Sequence, residues 1–256
     1  MMAPGTAVSD ALQRTRVLRS IAGTLYNAVM PRGVTLEALA EVAEDQWGLF
    51  TRRQAESTGM AWTTLARLAS DSGAERVAHG VYRLRGTPPI EHLALRAAWL
   101  QLAPDTPVWQ RTAQQGVVSY RSAAAVYGLG HLPADVHQFI LPSRRQSRRP
   151  DVRLHRARLT DGQWTSLGGL LVTRPARTAA DLLADREDPE AVAQVIADAL
   201  RAGHDDPGSM ARAVAPYATR FGLPQGDGLA LLMWLLDLTG DPRRGDWMAE
   251  ARGGRP

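Results

Sequence analysis

The chain has 256 residues, a formal net charge of +4, no cysteine and no lysine, so all 30 basic side chains are arginine. That length can bury a core for one large or two small domains, and the missing residue types exclude disulfides, thiolate metal sites, a Cys nucleophile, a P-loop lysine and a Schiff-base lysine. No apolar run approaches the ~20 residues that span a bilayer and no signal-peptide pattern opens the chain, so a cytoplasmic protein without membrane contact is expected. Arginine in place of lysine fits a GC-rich genome and is compatible with phosphate binding. The charge is unevenly spread: residues 110–178 hold eleven arginines against three aspartates, whereas residues 179–256 are net acidic.

Residues 1–33 could form a helix from Val8 to Val29 on propensity, and Met30 could be an alternative start; the segment is expected to be a flexible extension. Thr35 is expected to cap a first helix whose Leu36, Leu39, Ala40, Ala43 and Trp47 share one face, with Gly48 as its stop. Thr51-Arg-Arg-Gln54 is a capping-box pattern opening a short second helix that closes at Thr58-Gly59, and Leu65 with Leu68 anchors a third. Two short strands then flank a tight turn at His79-Gly80. This order over residues 34–86 predicts a winged helix-turn-helix.

Gly86-Thr-Pro-Pro89 is read as a linker, and Ile90 to Leu102 as an amphipathic helix through Leu93, Ala97 and Leu100 that opens a second domain over residues 87–240. In it, Ser119 to Tyr127 is a short helix, Val136 to Leu141, Val152 to Leu159 and Leu170 to Thr173 are strands, and Pro175 starts a helix running through Leu183. Pro189 to Ala202, Gly208 to Arg220 and Gln225 to Leu238 read as three further helices, with 241–256 a flexible tail. The fold class is α+β: an N-terminal winged helix-turn-helix, then a mixed α+β domain with a mainly helical C-terminal part.

With Leu65 and Leu68 inward, the third helix presents Trp62, Thr63, Ala66 and Arg67, the residues aimed at DNA. Arg67 can grip a guanine edge or a phosphate, and Thr63 a base edge or the backbone. Trp62 serves equally as a core or interface anchor, since winged helices also bind proteins. Arg52 and Arg53 start the second helix beside a phosphate path, and Arg76, His79, Arg83 and Arg85 bring charge to the hairpin. Arg144, Arg145, Arg148 and Arg149, running into Arg153 on a strand, suit phosphate contact. The same cluster suits a solvated loop or a docking surface for an acidic partner. His131, His137 and His155 have no metal spacing or matching carboxylates and read as structural, so no catalytic residue, cofactor or metal is expected.

The order of these pieces resembles the AbiEi family of antitoxins and transcriptional regulators over residues 36–200. The carriers are Leu49-Phe-Thr-Arg-Arg-Gln-Ala55, Gly59 with Thr64-Leu-Ala-Arg-Leu68, Arg76-Val-Ala-His-Gly-Val-Tyr-Arg-Leu84, Ser119-Tyr-Arg-Ser-Ala-Ala-Ala-Val-Tyr-Gly-Leu129 and Val172-Thr-Arg-Pro-Ala-Arg-Thr-Ala-Ala-Asp-Leu182. The resemblance implies an N-terminal domain that represses the toxin–antitoxin promoter and a C-terminal domain that neutralises a nucleotidyltransferase-like toxin and helps DNA binding. Operator DNA and that toxin would be the partners, with dimerisation expected only on a palindromic operator. The lysine-free composition suits an actinobacterial member of the mycobacterial MenA type. Two positions depart from the pattern: Ala61 stands where a Ser-like helix cap is usual, and Trp62 where a basic or small residue is usual. The other functional reading is a protein-interaction module that acts mainly by binding the toxin, with weak DNA binding.

Overall fold

In a computed structural model the described part of the chain is residues 32–253. The expected N-terminal extension lies outside it, except for Arg32 and Gly33, which open the first helix. The chain order begins α1 (Arg32–Glu44), β1 (Leu49–Thr51), α2 (Arg52–Ser57), α3 (Trp62–Ser70), β2 (Ala74–Ala78) and β3 (Val81–Leu84). Thr35 is a buried residue inside α1, so it is not that helix's cap. The capping box that opens α2 is present: the Gln54 N–H donates to Thr51 Oγ1 at 3.1 Å, and the Thr51 N–H donates to Gln54 Oε1 at 2.9 Å.

The three strands form an antiparallel sheet in the order β1-β3-β2. Because side chains alternate along a strand, this sheet has two apolar faces. Phe50 and Tyr82 are register partners and stack at 5.7 Å toward α1, α2 and α3, where Leu39, Ala55 and Leu65 complete the core. Leu49 and Val81 point the other way, against Ala97 and Leu100 of α4 (Leu93–Leu102).

Helix α4 is the joint of the molecule, with seven of its ten residues buried. The stripe Leu93, Ala97 and Leu100 lies on the first sheet. A second stripe of Leu95, Ala98, Trp99 and Leu102 lies on a five-stranded sheet. That sheet is built from β4 (Val117–Val118), β5 (His137–Leu141), β6 (Val152–Arg156), β7 (Trp164–Leu167) and β8 (Leu170–Thr173), in the order β6-β5-β4-β8-β7. The pairs β4–β5 and β7–β8 are antiparallel, while β4–β8 and β5–β6 are parallel. Between its strands run α5 (Tyr120–Tyr127) and, after β8, α6 (Pro175–Ala184).

The remainder is helical: α7 (Pro189–Ala202), α8 (Pro207–Val214), a 3-10 segment (Ala215–Phe221), α9 (Gly228–Thr239) and α10 (Arg244–Gly253), packed with α6 around Leu182, Ile196, Met210, Leu232 and Leu235. Asp188, Asp206 and Asp227 cap α7, α8 and α9 by accepting a backbone N–H in each first turn, which accounts for part of the acidic balance of this half. Residues 241–256, expected as a flexible tail, instead carry α10. Trp247 and Met248 are buried in the helical core, and that apolar pair docks a segment whose flanking arginines suggest a solvated end. No helix among the described residues is long and apolar enough to cross a membrane.

A lateral strut reinforces the joint. The Trp47 indole N–H and Arg96 Nη1 both donate to the Gly168 carbonyl, at 2.9 and 2.8 Å, and the Arg96 guanidinium lies 4.3 Å from the Trp47 ring centre. A Cβ on Gly169 would meet the Trp47 ring at 2.8 Å, and the residue has φ +82°. Gly203 also has positive φ but faces open space. Gly203→Ala is therefore expected to cost about 1 kcal/mol of backbone strain, and Gly169→Ala about 1 to 3 kcal/mol more, measured by urea denaturation. Equal costs would mean that the Trp47 contact gives way freely.

Candidate nucleic-acid interface

Helix α3 buries Leu65 and leaves Trp62, Thr63, Ala66 and Arg67 exposed, as its 3.6-residue period requires. Ala61 precedes it with no side-chain cap, and its carbonyl accepts from the N–H groups of Thr64 and Leu65 at 2.9 and 3.1 Å. The Arg52 guanidinium sits 4.4 Å from the Trp62 ring centre while its Nε donates to Glu56 at 2.6 Å. Trp62 is thus a surface platform holding an arginine, 46% exposed, and contributes nothing to the core. Arg53 beside it is exposed and 3.5 Å from Asp105.

The hairpin tip adjoins this face, because the Arg52 N–H that opens α2 donates to the Gly80 carbonyl at 2.8 Å. Gly80 takes φ +68° in the turn. Arg76 and His79 are both exposed there, with Arg76 Nη2 3.0 Å from His79 Nδ1. Arg83 is not part of the surface: its side chain is 14% exposed, lies 3.4 Å from Glu75 and donates to the carbonyls of Thr87, at 3.0 Å, and Pro88. The supposed linker is thereby tied to the hairpin. Arg85 is exposed but lies at the end of β3 away from the turn, its N–H donating to Gly73.

Residues 37–85, which carry every group just described except those of the partner segments, match a family model described as "Transcriptional regulator, AbiEi antitoxin". Over this segment the chain is similar to the AbiEi antitoxins, a family of transcriptional regulators. No curated protein matches the chain.

Beyond the AbiEi segment, the arginine-rich loop 142–151 approaches the hairpin tip. The cause is topological: β5 and β6 are parallel, so the connection must run back along the sheet, and it passes the C-terminal end of α4. There Gln101 links the two parts, donating to the His79 carbonyl at 2.7 Å and accepting from Arg149. Nothing in the sequence marks Gln101, a polar residue in the last turn of an apolar helix. Arg145 donates to the Leu102 carbonyl, and Arg149 also pairs with Asp151, whose carboxyl it holds below the usual range. Arg144 and Arg148 are exposed with no ion partner among the described residues. Arg153, expected to join them, is held by both oxygens of Asp185 at 2.8 and 2.9 Å and belongs to a different part of the surface.

The histidines face structural neighbours. His155 stacks on Tyr120 at 3.7 Å between ring centres, and its Nε2 lies 3.1 Å from Gln138 Oε1. Burial, with the Arg153 charge adding to it, brings its pKa down from 6.5 to about 4. His137 is lowered too, again by burial. The folded state keeps the His155 ring neutral where the unfolded chain would protonate it, so its contribution is complete above the ordinary pKa of 6.5 and is lost as pH falls toward about 4. His155→Gln should flatten the loss of stability across that window in urea denaturations at a series of pH values. An unchanged acid-side slope would mean that other groups govern it.

Proposed function

We propose that the protein is the antitoxin of a bacterial toxin–antitoxin pair, that it represses its own operon through a winged helix-turn-helix over residues 34–86, and that it counters a nucleotidyltransferase-like toxin. The match of residues 37–85 to a family of antitoxin regulators supports the first part. The DNA part rests on one observation above all: the face of α3 bearing Trp62, Thr63, Ala66 and Arg67 is exposed beside an arginine-bearing hairpin tip. A helix of that kind, preceded by a short helix and followed by a β-hairpin, is the geometry that enters a major groove with a wing alongside. In this reading Arg67 and Thr63 face base edges, Arg52, Arg53, Arg76 and His79 face the backbone, and the unpaired Arg144 and Arg148 extend the phosphate path. Two copies assemble on a palindromic operator.

A second reading, in which toxin contact is the principal activity and DNA binding is weak, draws on α9. Leu229, Met233 and Leu238 on that helix are exposed, an unusual concentration of large apolar side chains outside the core. A toxin complex that survives size-exclusion chromatography, combined with no preference for operator DNA, would favour it.

The deciding experiment measures affinity for the DNA upstream of the gene against scrambled DNA of equal length at several salt concentrations. The expected preference is about 10³-fold or more. Arg67→Ala should cost about 1 to 3 kcal/mol and relax sequence preference at one position. Replacing Arg144 and Arg148 with Ala, which disturbs no ion pair of the loop, should lower the salt slope by about 2 without changing sequence preference. Equal affinity for both DNAs would leave charge attraction alone and overturn the repressor reading.

A further inference from the structure

On the side of the molecule formed by α6, α8 and the 3-10 segment lies a cleft of about 580 Å³ that includes none of the residues assigned to DNA. This volume falls within the range of small-molecule sites. Gln163, Arg177, Asp181, Ser209, Arg212 and Tyr217 supply its polar groups.

The informative member is Asp181. Its side chain is 6% exposed, and Oδ1 accepts from Arg177 Nε at 2.8 Å. Oδ2 is fully enclosed and has no donor among the described residues. Buried polar atoms are nearly always partnered, because an unmade bond to a carboxylate forfeits the full cost of removing it from water. Burial accordingly raises the Asp181 pKa to about 6, with Arg177 opposing the rise. The Tyr217 phenol is raised by burial first and by the Asp181 charge second, so it stands as a neutral donor near the same carboxyl.

The guanidinium groups are held in place around it. Arg177 Nη1 donates to Gln163 Oε1 at 3.0 Å, and Arg212 Nη2 donates to Ser209 Oγ at 3.0 Å. Two arginines fit an anionic group and repel a simple cation. The enclosed carboxylate oxygen requires an N–H or O–H donor; hydrogen phosphate has a single hydroxyl, and placing it there brings its two charges against the carboxylate. The occupant therefore needs an anionic group and hydrogen-bond donors on one body, and Ala176, Ala180, Ala213 and Pro216 line the same cleft as apolar surface for the rest of it.

We propose that this cleft binds a nucleoside monophosphate, with its phosphate toward Arg177 and Arg212 and an amino or hydroxyl donor on Asp181. The site stands apart from the DNA surface, so either reading can fail alone. The test is isothermal titration calorimetry on the full chain with AMP, GMP, CMP, UMP and inorganic phosphate as separate probes. At least one nucleotide should bind at millimolar concentration or below, and about 10-fold or more tighter than phosphate. Arg212→Ala, at an exposed position, should weaken it by about 10- to 100-fold, the loss of one charge-assisted contact, while leaving DNA affinity unchanged. Asp181→Asn should weaken it as well. No binding by any nucleotide at millimolar concentration, phosphate binding as tightly as the nucleotides, or an Arg212→Ala protein that binds normally would each overturn the proposal.

Discussion

The two sheets of this fold are joined by one helix that is apolar on two sides. In α4, Ala97 and Leu100 press on the three-stranded sheet, and Leu95, Ala98, Trp99 and Leu102 press on the five-stranded one. A helix of that composition is stable in water only when both faces are covered, so neither sheet can leave without exposing it. Its C-terminal end is fixed by Arg111, a buried arginine whose side chain donates to the carbonyls of Leu100, Ala103 and Thr106 at 2.9, 2.6 and 3.1 Å and lies 4.4 Å from the Trp99 ring centre. Burial lowers that guanidinium's pKa to about 10, still far above neutral pH, so the charge persists against the carbonyl end of the helix, where the helix dipole favours it. The Trp47–Gly168–Arg96 strut joins the same two layers at another point.

This construction has a consequence for function. The AbiEi segment is not tethered by a loose linker: Arg83 holds Thr87 and Pro88, Thr51 Oγ1 donates to Pro104, and Gln46 accepts from the Val108 N–H at 3.1 Å. The position of α3 is therefore set by the second unit as well as by its own three-helix core. Arginines from both units then share a frame, since Gln101 connects the hairpin tip with the loop carrying Arg144 and Arg148. A surface assembled from rigid parts loses little ordering entropy on meeting a rigid duplex.

What could be read from the sequence was local. The Thr51–Gln54 capping box, the turn at Gly80, the proline-led helices at Pro175 and Pro189, and the exposed face of α3 each follow from a few adjacent residues, and the structure places them where the spacing puts them. What could not be read was set by distant partners. β1 and β4 have only three and two residues, too short for any periodic signal, and exist because β3 and β5 lie beside them. β7 alternates weakly and is defined by its turn with β8. The second stripe of α4 is invisible if the helix is assumed to have one buried side. Net charge likewise does not distinguish one arginine from another, whereas Arg83 and Arg153 are consumed by carbonyls and carboxylates far away in the chain or across a turn. The buried Asp181 carries no sequence mark at all.

By covering both of its apolar sides, α4 makes residues 37–85 and the second unit a single cooperative body. Differential scanning calorimetry of the full chain measures that cooperativity. One transition, with calorimetric and van't Hoff enthalpies equal, is the predicted result. Two resolved transitions would contradict it, because they would mean that the segment and the second unit melt separately and that α4 does not bind them together.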